Sequence, residues 1–159
     1  MATEEKKYEG IGGWLILVGV GLTFSLIRSV YFIFTTYPPF FTNGILKALI
    51  TPDSGTYNLS LAIFVIGELV ANVGLMLSSS YLVFLFMKRR VQFPAWFIGV
   101  MAANLVFIVL DPSILKLIRP EYPVFEEAVL VSIGRNAAVC LIWIPYMLRS
   151  ERVKATFIY

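Results

Sequence analysis

Seven ionisable or amide side chains interrupt long apolar runs, and they are the residues of this chain best suited to chemistry. They are Arg28, Glu68, Asn72, Asn104, Asp111, Arg135 and Asn136. A charge within an apolar segment is costly unless it is paired or faces water or a ligand. Arginine has a planar fork that binds carboxylate or phosphate through two parallel hydrogen bonds. These residue types therefore indicate either an internal polar network or a ligand site.

Three interpretations of this polar set stay open at the level of sequence. In the first, Arg28 and Arg135 are the counter-ions of Glu68 and Asp111, and the asparagines bridge them, which fixes helix order and rotation. In the second, the arginines line a cavity that receives an anionic group. In the third, Glu68 belongs to a proton or cation relay.

The composition excludes several classes of catalytic site. The chain has no histidine and a single cysteine, Cys140, which lies in an apolar run and is expected to pack in the core. A cysteine-based metal cluster and Ser-His or Cys-His hydrolase sites are therefore excluded within this chain, and the commonest ligand of zinc and haem is absent. We expect no enzyme activity, no cofactor and no metal. A formal net charge of only +3 without a basic groove also argues against nucleic-acid binding.

The overall composition is that of a membrane protein. Hydrophobic residues make up 58% of the chain and charged residues 14%, with a mean hydropathy of +0.81. Ordinary globular domains carry about 25% charged residues. A chain this apolar is expected to lie in the lipid bilayer.

Four apolar runs are long enough to cross a bilayer, which needs about 20 residues. They predict an all-α integral membrane four-helix bundle that forms a single domain. Its spans are expected at about residues 11–37, 59–87, 94–110 and 124–148, with a tail at 149–159. Pro38-Pro39 and Asp111-Pro112 are expected to end the first and third spans. By helix rise, the polar residues then lie about 16–28 Å from one face, as a single layer.

The distribution of lysine and arginine predicts the orientation. Eight such residues fall on one side, namely Lys6, Lys7, Lys88, Arg89, Arg90, Arg149, Arg152 and Lys154. Three fall on the other side, namely Lys47, Lys116 and Arg119. Because short cytoplasmic loops carry the excess of positive charge, both termini are expected in the cytoplasm.

Small residues recur at helical spacing in the first two spans. Such stripes let helices approach closely, either within the bundle or between copies of the chain. They are Gly21, Ser25 and Ser29 in the first span, and Gly67 with Ala71 and Gly74 with Ser78 in the second.

The basic and aromatic tail is the second candidate contact region. Arg149, Arg152, Lys154 and Phe157 are expected to lie along anionic lipid headgroups, or to dock a cytoplasmic partner.

The order of several motifs resembles one known family. Gly10-Ile11-Gly12-Gly13-Trp14-Leu15 opens the chain, a glutamate lies in the second span, and a basic turn leads into Phe93-Pro94. The chain closes with Trp143-Ile144-Pro145-Tyr146 and the segment Ser150–Phe157. This resembles the bacterial inner-membrane proteins grouped as domain of unknown function 2569. The resemblance implies a four-span protein of the bacterial inner membrane and supplies no activity.

Two non-enzymatic functions follow as hypotheses. The first is an accessory or scaffold protein that binds a membrane-protein partner, a second copy of itself or an anionic lipid. The alternative is a small transporter or ion-coupled binding protein with a buried Glu/Arg site. A dry, fully paired polar layer favours the first, and an open cavity at Glu68 favours the second.

Overall fold

The computed structural model describes residues 10–121, 123 and 126–159. Lys6 and Lys7 lie outside the described residues, as do residues 124 and 125, where the fourth span was expected to begin. Four helices are long and apolar enough to cross a membrane: α1 (Trp14–Thr36), α4 (Leu59–Met87), α5 (Phe93–Ile118) and α6 (Glu127–Arg149). Three short helices complete the described chain: α2 (Pro38–Thr42), α3 (Ile45–Ile50) and α7 (Glu151–Thr156).

The second span agrees with its predicted bounds at both ends. Asn58 precedes it, and its side-chain oxygen accepts a hydrogen bond from the backbone N–H of Leu61 at 2.9 Å. Asparagine at this position satisfies an N–H group that the first helical turn leaves free. The four-span, all-helical prediction is thus confirmed at the level of the helices.

The third span is longer than predicted, because Asp111-Pro112 does not end it. Helix α5 continues through Pro112 to Ile118. A proline is tolerated inside a membrane helix where neighbouring groups satisfy the backbone around it. Beside Pro112, the Ser113 hydroxyl donates to the Val109 carbonyl at 2.7 Å. Asp111 consequently lies within the third span and not in a loop beyond it.

The bundle is closed between consecutive spans and open between the first and the last. Close packing joins α1 to α4, α4 to α5 and α5 to α6, whereas α1 and α6 do not pack extensively. Trp14 and Trp143 bridge α1 and α6 at one end, with ring centroids 6.2 Å apart. The cleft between α1 and α6 is therefore bridged at this end by these two rings.

The buried core lies at that same end of the bundle, which we call the tail end. Phe93 is fully buried, and its ring lies 5.3 Å from Phe86, 5.7 Å from Phe97 and 4.4 Å from Phe157. All four spans and the segment after α6 contribute to the core, which comprises Leu15, Val18, Leu22, Leu82, Leu85, Phe86, Phe93, Phe97, Met147, Val153 and Phe157.

The C-terminal segment is bonded to the rest of the tail end. The Val91 N–H donates to the Tyr159 carbonyl at 2.7 Å, and the Tyr159 N–H donates to the Arg89 carbonyl at 3.3 Å. The Thr156 hydroxyl donates to the Gly10 carbonyl at 3.1 Å. The N-terminal part of the described chain and its C-terminus therefore lie together, as an even number of spans requires.

The opposite end of the bundle, which we call the loop end, is covered by the short helices α2 and α3. Leu49 of α3 is buried, and its carbonyl accepts a hydrogen bond from the Asn58 N–H at 2.9 Å. This bond ties the first connection to the start of the second span.

Candidate functional site

Six of the seven predicted polar residues line one cavity of about 360 Å³, which we call the charged cavity. All four spans contribute to its wall. The six residues are Arg28 of α1, Glu68 and Asn72 of α4, Asp111 of α5, and Arg135 and Asn136 of α6. Six of the residues that the sequence placed in one polar layer therefore line the same cavity in the fold.

Helix geometry places the four charged residues at one level. Arg28, Glu68, Asp111 and Arg135 lie seven to nine residues from the loop-end termini of their helices. At the α-helical rise, this distance is about 10–14 Å. The four charges form one layer below the loop end.

The two arginines are not the ion-pair partners of the two carboxylates. Within residues 10–121, 123 and 126–159, the ion pairs within 4.0 Å join Arg119 to Glu121 and Lys154 to Glu151. Neither pair involves the charged cavity. The prediction that Arg28 and Arg135 neutralise Glu68 by direct contact is therefore wrong. Both arginine side chains are exposed on the cavity wall, and Glu68 is half-buried.

Tyr37 takes the place of the expected counter-ion. Its hydroxyl donates to Glu68 Oε1 at 3.0 Å and accepts from Asn72 Nδ2 at 2.9 Å. Tyr37 is buried at the end of the first span, where its ring also meets Phe32 edge-on. The sequence reasoning missed this residue, which lies at the predicted end of the first span, directly before Pro38-Pro39.

A second cavity of about 280 Å³, the central cavity, lies between the four spans. Asn72 and Asn136 line both cavities, so the two are adjacent. Asn104, the seventh predicted residue, lines the central cavity, and its Nδ2 donates to Asn136 Oδ1 at 3.1 Å. The polar layer therefore continues from the charged cavity toward the middle of the bundle.

The small-residue stripe of the first span lines the central cavity instead of packing on another helix. Gly21, Ser25 and Ser29 all face this cavity. A Cβ atom added to Gly21 would meet nothing within 4 Å outside its own helix. The same holds for Gly67 and Gly74 of the second span. Within the chain, the close packing expected at these three glycines is therefore absent.

Two of the four predicted tail contacts are at least partly buried in the bundle. Phe157 is 3% exposed and belongs to the aromatic core, and Arg152 is half-buried beside Gly12. Arg149 is exposed, and Lys154 is exposed and paired with Glu151 at 2.9 Å. The tail is a part of the folded bundle, although Ile158 and Tyr159 at its end are exposed together with its charged residues.

Outside the spans, the connection between α5 and α6 contains an exposed ion pair. Hydrogen bonding to the Glu121 backbone, followed by the Arg119 side chain, holds the pKa of the Glu121 carboxyl below its ordinary value. This pair lies in the loop, away from the charged cavity. It is accordingly assigned no part in the site.

Comparison with known proteins gives one match. The sequence model of a family described as "Protein of unknown function (DUF2569)" matches residues 8–158, which confirms the resemblance seen in the end motifs. No curated protein and no solved structure matches the chain.

Proposed function

Since the chain belongs to the DUF2569 family, whose description names no activity, we propose a function from the site itself: membrane-embedded binding of a small charged group. The supporting observation is the charged cavity, in which two arginines and two carboxylates face one space without direct ion pairing. This belongs to the binding or transport class, not to the scaffold class.

The physical reason is the cost of isolated charges in a membrane. A charged group that lacks a protein partner must be solvated by water or by a bound ligand. A network built only to hold helices together has no need to leave four ionisable side chains around a cavity. A cavity of a few hundred Å³ with a few convergent polar groups is the usual form of a small-molecule site.

The polar bonds around the cavity hold the site in shape. Tyr37 fixes one carboxylate oxygen of Glu68 and the amide of Asn72, and Asn104 fixes Asn136. Side chains held by such bonds lose less freedom when a ligand arrives, which favours affinity. In this proposal Arg28 and Arg135 are left to contact the ligand.

A thermal-stability screen of the purified chain in detergent tests this function. The screen contains phosphate, dicarboxylates, amino acids, inorganic cations and phospholipids. A ligand present at a hundred times its Kd stabilises the folded state by about 2.7 kcal/mol. At least one charged compound is expected to raise the Tm, and Arg28→Gln with Arg135→Gln is expected to abolish that rise.

Arg90→Gln provides the matched control, because Arg90 is an exposed arginine at the tail end. It is expected to keep the full response. The proposal fails if no charged compound raises the Tm, or if the two cavity arginines can be removed without loss of the response.

A scaffold role in the inner membrane of a bacterium, with both termini cytoplasmic, is the second candidate. A groove of about 360 Å³ between the second and third spans supports it, since Ser78, Ala95, Gly99 and Ala103 line its floor. Small residues in such a groove allow a helix of another membrane protein, or of a second copy, to approach. Replacing Gly99 with leucine should then abolish co-purification of the partner or the dimer, while Gly67→Leu should not.

A further inference from the structure

Two of the helices that line the charged cavity, α1 and α6, leave a cleft between them. These spans do not pack extensively on each other, and the rings of Trp14 and Trp143 join them only at the tail end. Arg28 on α1 and Arg135 on α6 are both exposed and both line the cavity. A molecule in the bilayer can therefore approach the arginines sideways, between the first and the last span.

The level of the arginines matches one leaflet of the membrane. Each lies eight residues from the loop-end terminus of its helix, Thr36 or Glu127, which corresponds to about 12 Å. The hydrocarbon core is about 30 Å thick, so both Cα atoms lie in the half that faces the loop end. An arginine at this depth extends its flexible stem toward the headgroup region. A lipid phosphate drawn from this leaflet into the cleft would meet the two guanidinium groups.

The carboxylates on the opposite wall determine which headgroup fits. Glu68 and Asp111 line the same cavity at the same level as the arginines. In their ionised forms, two positive and two negative charges cancel. A purely anionic group would be attracted to the arginines but repelled by the carboxylates. A simple cation would be attracted to the carboxylates but repelled by the arginines. A group that carries both charges complements both walls.

We propose, on the basis of the proposed function, that the charged cavity binds the headgroup of a zwitterionic phospholipid with a primary ammonium group. The phosphate contacts Arg28 and Arg135, and the ammonium contacts Glu68 and Asp111. The acyl chains stay in the bilayer beside the cleft between α1 and α6. A primary ammonium has three N–H donors for carboxylate oxygens, and hydrogen bonds between charged partners are the strong ones.

Native mass spectrometry of the full chain in detergent can measure this selectivity. The probes are short-chain phosphatidylethanolamine, phosphatidylglycerol and phosphatidylcholine, together with soluble phosphoethanolamine, which has the same charges without chains. Phosphatidylethanolamine is expected to bind about tenfold more tightly than either other lipid, a difference of about 1.4 kcal/mol. Soluble phosphoethanolamine is expected to bind more weakly than the lipid.

Two pairs of substitutions separate the two charges of the headgroup. Arg28→Gln with Arg135→Gln should weaken phosphatidylethanolamine binding at least tenfold. Glu68→Gln with Asp111→Asn should remove the preference over phosphatidylglycerol while lipid binding persists. Arg90→Gln, which alters an exposed arginine at the tail end, should change neither. Before the binding measurement, each double variant must have a Tm within a few degrees of wild type in the absence of lipid. If a double variant is less stable than this, the single variant Arg28→Gln or Glu68→Gln is used in its place.

The inference is overturned if phosphatidylglycerol binds as tightly as phosphatidylethanolamine to wild type, or if the carboxylate variants leave the preference unchanged. Equal binding of soluble phosphoethanolamine and the lipid would also overturn it, since the ligand would then be a soluble zwitterion. If no lipid binds while a soluble ion still requires Arg28 and Arg135, this inference fails and the proposed function stands. If neither binds, both fail.

Discussion

At the tail end, rings and aliphatic side chains from all four spans meet, and Phe93, Val153 and Phe157 are each at most 3% exposed. Around the charged cavity, the same four spans present arginines, carboxylates and amides to one space. Both regions depend on the same helices, so the difference comes from side-chain chemistry. Apolar side chains gain contacts by closing the gap, whereas unpaired charges keep it open for water or ligand. One end contains the packed core, and the other encloses the charged cavity.

The largest effect is expected from Phe93→Ala at the tail end. It removes a fully buried ring that contacts three other phenylalanines, so the cost is about 3–5 kcal/mol of unfolding free energy. Phe34→Ala is the control, because Phe34 is 71% exposed and makes no comparable contacts in the core. Unfolding titrations in mixed micelles measure both. A loss at Phe93 no greater than that at Phe34 would show that the aromatic core does not hold the bundle.

Two glycines of α1, separated by one residue, give the next contrast. A Cβ at Gly19 would lie 2.9 Å from the Phe86 ring, whereas a Cβ at Gly21 meets nothing within 4 Å outside its helix. Gly19→Ala is therefore expected to cost about 1–3 kcal/mol through overpacking. Gly21→Ala is expected to stabilise by up to about 1 kcal/mol through helix propensity. Thermal melts of the two variants should shift in opposite directions, and equal shifts would contradict the difference in packing.

A smaller effect is expected from Tyr37→Phe at the border of the charged cavity. The variant keeps the ring and removes the hydroxyl that joins Glu68 to Asn72. One such hydrogen bond contributes about 0.5–1.5 kcal/mol. Tyr57→Phe, which alters an exposed tyrosine, should be neutral. If chemical unfolding finds the two variants equally stable, the bond to Glu68 does not contribute to the fold.

The smallest effect on stability is expected from Arg28→Gln, within about 0.5 kcal/mol of wild type. Removing one partner of a buried ion pair costs about 3–5 kcal/mol, but no ion pair joins Arg28 to Glu68 or Asp111. Equilibrium unfolding without added lipid distinguishes the two cases. A loss of several kcal/mol would restore the interpretation in which the arginines are structural counter-ions.

The predictable part of the fold came from local chemistry. Length and hydropathy identify four spans, and the second span has the predicted bounds Leu59–Met87, because its apolar run is continuous and a basic turn follows it. The predicted third span ends too early, before Asp111-Pro112, whereas the helix continues through Pro112. Whether a membrane helix continues through a proline depends on neighbouring groups in the fold, which the sequence does not show. The polar residues were grouped correctly, because helix rise alone sets their depth.

What the sequence by itself determined is the class of the protein, its four spans and the depth of Arg28, Glu68, Asp111 and Arg135. These follow from residue counts along single helices. Only the tertiary structure decided which polar groups touch: Tyr37 bonds Glu68, the arginines stand apart, and Phe157 joins the core. Such contacts depend on how helices rotate and separate, and differences of an ångström decide whether two charges form a pair or enclose a cavity.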